Sequence, residues 1–387
     1  MCAAANGSET RSETTAKEID YRRKHDLLIH GVQLHDTLLP GLKAPHRVRS
    51  GSCGGLDLVL PGGLMVNAPV SETFARTSRF HLNFAADQSA SVHDDVTGES
   101  VPVEIPAAPD YYASMTCSTG RPMVKVGQIC SDRLGVGLTN RCHFWSHKSE
   151  RCKFCSIGLN ADSGEEYRDK DATEILEVTS AAIDDPALPA RHVLLGGGTP
   201  PGSDSGARRI AEVAEQIKLK HPSFPIYAMI VPPSDLRWIS RLRQAGVDEL
   251  GMNVELFSAE ASAEYIPGKH KDIGLAGYLR ALETSVGVFG PVNTRSIVLA
   301  GLEPARATVD GLATLASIGV MPILTPFRPL AGTIMENQAR WTSDMMWRLA
   351  LDATDAVGQH GIPMGPTCID CQSNTLIVRR HELHRQY

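Results

Sequence analysis

The chain has 387 residues, of which 42% are hydrophobic and 21% are charged, a composition typical of a soluble globular protein with a sizeable core. The formal net charge of −6 disfavours a nucleic-acid-binding protein, which usually carries a basic excess. No apolar run is long enough to span a membrane, and residues 1–25 lack the apolar core of a signal peptide. We therefore expect a cytoplasmic protein.

The sequence divides into four predicted regions. Residues 1–25 are predicted to be disordered or loosely helical, and residues 26–130 to form an N-terminal α+β cap, because short apolar runs there are separated by Gly, Pro, Asp and Ser. Residues 131–335 show a regular alternation of strands and helices. Residues 336–387 are predicted to form a C-terminal extension, with one helix and a tail that contains Cys-x-x-Cys.

Six apolar strands are predicted in the alternating region, at 134–139, 192–198, 225–231, 247–255, 294–302 and 320–326. Helices are predicted between and after them, including 171–184, 207–220, 273–289 and 344–360. This order indicates parallel βα units with right-handed crossovers. Six units are too few for a closed eight-stranded barrel, so we predict a partial (β/α)6 TIM-like barrel with its chemistry at the carboxyl ends of the strands.

Nine cysteines indicate metal binding or redox chemistry. An odd number in a chain without an export signal is a poor disulfide framework. One group follows the first strand as Cys142, nine residues, Cys152, two residues and Cys155. Three thiolates on one loop can bind three irons of a [4Fe–4S] cluster and leave the fourth iron open. The alternative is a zinc site that His143 or His147 completes.

Two further strand ends carry candidate ligand-binding residues. The second strand ends in a glycine run, where the backbone can approach a ligand closely. The fourth strand ends at Glu255, whose carboxylate is suited to accept hydrogen bonds from ribose hydroxyls or, alternatively, to form a surface salt bridge.

The Cys152-Lys153-Phe154-Cys155 ending, just after the first strand, resembles the radical S-adenosylmethionine (SAM) superfamily. The nine-residue first spacer is longer than usual there and is similar to that of the Elongator catalytic subunits. The resemblance implies that Cys142, Cys152 and Cys155 hold a [4Fe–4S] cluster that binds SAM. It also implies reductive cleavage of SAM to a 5′-deoxyadenosyl radical that abstracts hydrogen from a substrate.

The resemblance also implies a set of SAM contacts. Phe154 would lie by the adenine, and the glycine-rich strand end would contact the methionyl amino group. The stretch from Ile266 to Arg280 resembles lipoyl synthase, where acidic and basic residues grip the ribose and the carboxylate. The closing strand, 325–333, resembles lipoyl and biotin synthases. The implied SAM-binding residues are Phe154, Gly196, Gly197, Gly198, Thr199, Asn253, Glu255, Lys269, Arg280 and Gly301.

The Cys368 and Cys371 pair is a second candidate metal site. It suits half of an auxiliary Fe–S cluster, with Cys117 and Cys130 as the available further thiols. It also suits a zinc knuckle, a redox pair or plain structural cysteines.

The leading hypothesis is a radical SAM enzyme that acts on a small metabolite and takes electrons from a donor such as flavodoxin or ferredoxin. The whole chain resembles an uncharacterised radical SAM group whose genes are often near nitrilase genes, which implies nitrogenous metabolites. One alternative is an RNA-modifying enzyme, favoured by the long first spacer but disfavoured by the acidic balance. The other is a zinc-stabilised scaffold without catalysis.

Overall fold

The computed structural model describes residues 6–34, 54–164 and 166–379. The N-terminal part consists of helix α1 (Asn6–His30), five strands and the short helix α2 (Tyr111–Ser114). The strands are β1 Leu56–Val59, β2 Met65–Ala68, β3 Phe80–Phe84, β4 Ala90–Asp94 and β5 Ser100–Val103. β1 and β2 form one antiparallel sheet and β3 to β5 form another. The predicted boundary at residue 25 falls inside α1.

The main sheet has seven strands: β6 Gln128–Cys130, β7 Arg133–Thr139, β8 His192–Gly197, β9 Ile226–Met229, β10 Glu249–Gly251, β11 Thr294–Ala300 and β12 Met321–Pro326. β7 to β12 are parallel and lie in chain order, whereas β6 pairs antiparallel with β7. Among the described strands none pairs β12 with β6, so the barrel stays open. The predicted partial barrel is confirmed.

Ten helices follow within the described part of the chain: α3 His143–Ser146, α4 Ile157–Asp162, α5 Ala172–Ile183, α6 Ala207–Lys220, α7 Arg237–Gln244, α8 Ala259–Tyr265, α9 Pro267–Asp272, α10 Gly274–Phe289, α11 Ala305–Ser317 and α12 Ser343–Gly358. They form because apolar residues recur on one face. In α6, Ile210, Ala214 and Ile217 are all buried at helical spacing. α5 begins at a capping box of Asp171 and Glu174. No described helix is both long and apolar enough to cross a membrane.

The six predicted barrel strands and the helices between them are confirmed, but five elements were missed: β6, the short helices α3 and α4 of the cysteine loop, α8 and α9. β6 has three residues, too few for a recognisable period, and its hairpin to β7 turns at Ser131, which has a φ of +60°. α8 and α9 occupy the connection between β10 and α10. Neither is longer than seven residues, so their periodicity is weak.

The C-terminal extension covers the free edge of the barrel. Gly365 and Leu376 donate their N–H groups to the carbonyls of Pro322 and Leu324 on β12, at 2.7 and 2.9 Å. On the N-terminal side, the Lys24 ammonium nitrogen lies 2.7 Å from the carbonyl oxygen of Gln372 and is almost fully buried. The tail therefore occupies an edge that would otherwise expose unpaired backbone groups.

The burial of Lys24 predicts a pH-dependent stability. Burial, and secondarily Arg379, lowers the pKa of Lys24 to about 7. Above that pH the folded side chain is neutral while the unfolded one still holds its proton, so stability rises with pH until the ordinary lysine pKa is passed. The free energy of unfolding should increase by at most about 1.4 kcal/mol per pH unit from this group.

Urea denaturation of wild type and Lys24→Met between pH 7 and pH 9 measures this contribution. Wild type should gain stability over the variant as the pH rises. The exposed Lys220→Met serves as the control and should follow wild type. Equal pH slopes for wild type and Lys24→Met would contradict the assignment.

Candidate active site

The candidate site is a cavity of about 710 Å³ inside the open barrel, reaching the carboxyl ends of its strands. Eleven predicted site residues line it: Cys142, Cys152, Phe154, Cys155, Gly196, Gly197, Gly198, Thr199, Asn253, Glu255 and Lys269. They come from the loops after β7, β8 and β10 and from α9. The structure thus brings together residues that are up to 127 positions apart, Cys142 and Lys269.

The long spacer of the cysteine loop folds into a compact unit. Its first residues form α3, and Phe144 on α3 is buried. A Cβ on Gly268, at the start of α9, would lie 2.5 Å from the Phe144 ring, so glycine is required for this packing. The loop is fixed on the other side as well, because Lys153 donates its N–H to the carbonyl of Tyr265 at 2.9 Å. The extra residues therefore dock the loop against α8 and α9.

The three cysteine sulfurs of this loop do not all lie within the distance that one zinc ion requires. Two thiolates bound to the same zinc ion at about 2.3 Å can be no more than about 4.6 Å apart. Among the described residues, the donor sets whose atoms all lie within 4.8 Å of one another do not include Cys142, Cys152 and Cys155 together. They do include His143, His147 and Glu150, which form a separate group on the outside of the loop. A zinc site with all three thiolates does not fit this geometry.

Burial keeps the thiols of Cys152 and Cys155 protonated when no metal is bound. Burial raises the pKa of Cys155 to about 11, against a hydrogen bond from the Ile157 N–H that lowers it. Burial also raises the pKa of Cys152 well above its ordinary value. Because a metal ligand must be a thiolate, metal binding here must release protons.

The glycine run is held against the cysteine loop by backbone hydrogen bonds. Gly198 donates its N–H to the carbonyl of Thr139, and His143 donates its N–H to the carbonyl of Thr199, both at 2.7 Å. A Cβ on Gly198 would lie 2.2 Å from the carbonyl oxygen of Arg141. Gly197 has a φ of +132°, and its Cβ would meet the Thr139 oxygen at 2.5 Å. Two of the three glycines are therefore required by contact between neighbouring loops.

Glu255 and Lys269 form a buried ion pair at the cavity wall. The Lys269 Nζ lies 2.9 Å from both carboxylate oxygens, and each side chain is 12% exposed. Burial alone would lower the pKa of Lys269, but the Glu255 charge raises it well above its ordinary value. Glu255 has a φ of +66° and is bound through its own backbone to Ile297 and Leu299 of β11. The carboxylate is thus fixed at the strand end.

Two predicted SAM contacts are not brought into this cavity. Arg280 is exposed on α10, outside the cavity lining. Gly301 has a φ of +97°, and a Cβ there would point to Met346 and Trp341 rather than to the site. The two predicted tail cysteines lie at the opposite end of the barrel, with their sulfurs beside Asp132.

Several basic and aromatic residues of the cavity were not predicted as site residues. Arg295, Arg328 and Tyr227 line its interior, and Arg133 lies there too. Arg295 sits 5.0 Å over the Tyr227 ring and pairs with Glu249. A signal was available for Arg295: it shares one face of β11 with Ile297 and Leu299, and all three line the cavity.

Residues 139–304 match the sequence profile of the Radical SAM superfamily. This segment is therefore similar to the radical SAM domain, and the class binds SAM and a [4Fe–4S] cluster. The matched segment runs from the last residue of β7 to the residue before α11, and it contains all three loop cysteines.

Individual relatives match the chain over part of its length. A segment of 111 residues is 31% identical to the bacteriochlorophyllide c C-7(1)-hydroxylase of Chlorobaculum limnaeum and spans 28% of each chain. The structure of methylornithine synthase is similar at 16% identity and a TM-score of 0.42, over 60% of this chain and 70% of that one. A radical SAM methyltransferase from Sphaerobacter thermophilus gives 15% identity and a TM-score of 0.44, over 76% and 80%.

The contact between the two loops gives a testable prediction. Gly198→Ala places a methyl group against the Arg141 carbonyl and should separate the loops, with a loss of stability of about 1–3 kcal/mol. The variant should also retain less iron after anaerobic reconstitution. Gly196→Ala is the matched control, because its Cβ would approach the Met229 oxygen only to 3.3 Å. Equal iron contents in the two variants would show that the close contact is not needed.

Proposed function

We propose that Cys142, Cys152 and Cys155 hold the [4Fe–4S] cluster of this radical SAM enzyme. The proposal is carried by their common placement in the lining of one cavity, next to the glycine run and the Glu255–Lys269 pair. They follow the first parallel strand, at the end of the barrel where such sites are built. A zinc-stabilised scaffold is not supported, and neither is an RNA-modifying enzyme.

We propose that SAM binds beside the cluster, between the glycine run and the Glu255–Lys269 pair. Gly196 is the most open of the three glycines, so its backbone is the best candidate to meet the methionyl amino group. Lys269 donates hydrogen bonds to both oxygens of the Glu255 carboxylate from one side. Each of these oxygens retains a further lone pair, which can accept a hydrogen bond from a ribose hydroxyl. Phe154, Thr199 and Asn253 line the same space.

The proposed substrate is a small metabolite held deeper in the barrel. The cavity volume lies in the range of pockets for small molecules, roughly 300–1,000 Å³. When bound, the cluster and SAM together supply the 5′-deoxyadenosyl radical that abstracts a hydrogen atom. The chain's own residues hold the two ligands and exclude water, because the barrel interior is enclosed by the strands and by the tail at Cys371 and Thr375. The electron would come from a small donor such as flavodoxin or ferredoxin.

Anaerobic reconstitution with a dithionite-plus-SAM assay tests the cluster assignment. We expect about four irons per chain in this loop and formation of 5′-deoxyadenosine. Cys142→Ala should lose both. Cys117→Ala is the control, since Cys117 is buried away from the cavity and should leave both unchanged. Zinc without iron, and intact SAM, would overturn the proposal.

A double-mutant cycle separates the binding role of the ion pair from its structural role. Glu255→Gln alone leaves the buried Lys269 cation unpaired and should destabilise the protein by about 3–5 kcal/mol. Glu255→Gln with Lys269→Met removes both charges and should recover most of that stability. Equilibrium dialysis with SAM should nevertheless show weak binding by the double variant. If the double variant bound SAM as tightly as wild type, the ion pair would have a structural role only.

A further inference from the structure

A second cluster of metal-binding side chains lies at the opposite end of the barrel from the cysteine loop. Asp132 precedes β7, His192 begins β8, and the tail places Cys368 and Cys371 beside them. The Cys368 sulfur is 3.5 Å from Asp132 Oδ2, and the Cys371 sulfur is 3.8 Å from Oδ1. The Cys371 sulfur is also 3.2 Å from His192 Nε2. Asp132 and Cys371 are both buried.

Three of these four donors are spaced for one ion, and His192 lies next to that set. The ligand atoms of Asp132, Cys368 and Cys371 all lie within 4.8 Å of one another. Ligands of a tetrahedral zinc ion, at bond lengths of 2.0–2.3 Å, are separated by about 3.3–3.8 Å. The separations of 3.5 and 3.8 Å between the two sulfurs and the Asp132 oxygens match that scale. The three sulfurs of the cysteine loop do not all meet the same limit, which distinguishes the two thiol groups.

We propose that Asp132, Cys368 and Cys371 bind a single zinc-class divalent ion, and that His192, whose Nε2 lies 3.2 Å from the Cys371 sulfur, completes the set after a side-chain movement. Two thiolates, an imidazole and a carboxylate are ligand types that zinc accepts, and four protein ligands leave no open position, as in structural sites. An auxiliary Fe–S cluster is disfavoured because Cys117 and Cys130 are not part of this donor set.

The ion would join the tail to the amino ends of the first two barrel strands. The tail residues around it already contact both halves of the molecule: Gln372 accepts a hydrogen bond from Lys24, and Ser373 accepts one from the Asn67 N–H at 2.8 Å. Cys371 itself lines the floor of the cavity. The role of the site is therefore to close the cavity floor, and it does not depend on the cluster at the other end.

Metal analysis of the anaerobically reconstituted full chain tests this site. Wild type should hold about one zinc per chain in addition to the irons of the cysteine loop. Cys368→Ser should lose the zinc and keep the iron, because Cys368 is not part of the cavity lining. Cys117→Ser, a buried thiol outside both groups, should keep both metals. Loss of iron in Cys142→Ala with zinc retained would show that the two sites are independent.

X-ray absorption at the zinc edge of the unmutated protein provides a test that needs no variant to fold. The expected first shell has two sulfur and two nitrogen or oxygen ligands. A shell with only nitrogen and oxygen would place the zinc elsewhere and overturn the assignment. Protein that contains no zinc after incubation with excess zinc would also overturn the assignment. So would an iron content near twice the expected value of about four per chain that falls by half in Cys368→Ser, because an Fe–S cluster would then occupy the site.

Discussion

The structure depends on close backbone contact between the loops that follow the first two parallel strands. Two hydrogen bonds of 2.7 Å connect these loops, from Gly198 to Thr139 and from His143 to Thr199. The contact leaves no room for a Cβ at Gly197 or Gly198. Because His143 follows Cys142 directly, the position of the first loop cysteine is fixed by the glycine turn. The glycine run, which was predicted for its ligand contact, therefore also has a structural role within the protein.

The opposite wall is fixed by burial of charge. Glu255 has a positive φ, which residues other than glycine rarely adopt. Its backbone N–H and carbonyl groups are both hydrogen-bonded to β11. Lys269 compensates its charge from α9, and the neighbouring Gly268 packs against the cysteine loop. One short helix therefore connects the ion pair with the loop. Removing either charge would leave the other buried, so the pair constrains the position of α9.

Sequence patterns predict the barrel well, because six apolar strands and their amphipathic helices carry strong periodic signals. The three loop cysteines and Glu255 are also recognisable, since each follows a strand. Arg280 and Gly301 were chosen by resemblance, but Arg280 is exposed outside the cavity lining and a Cβ on Gly301 would face Met346 and Trp341. Asp132 and His192 carry no local signal: one lies in a hairpin and the other begins a strand. They become candidates when folding brings the tail to them, 236 and 179 residues away.

The two thiol groups show why spacing along the chain does not determine what a cysteine motif binds. Cys152 and Cys155 are separated by two residues, as are Cys368 and Cys371. The three thiols of the first loop are not all within reach of a common ion, while the second pair has a carboxylate within that reach. The distinction depends on the partners supplied by other segments. It follows that a Cys-x-x-Cys at the amino end of a barrel, beside an aspartate and a histidine, favours one ion and a structural role.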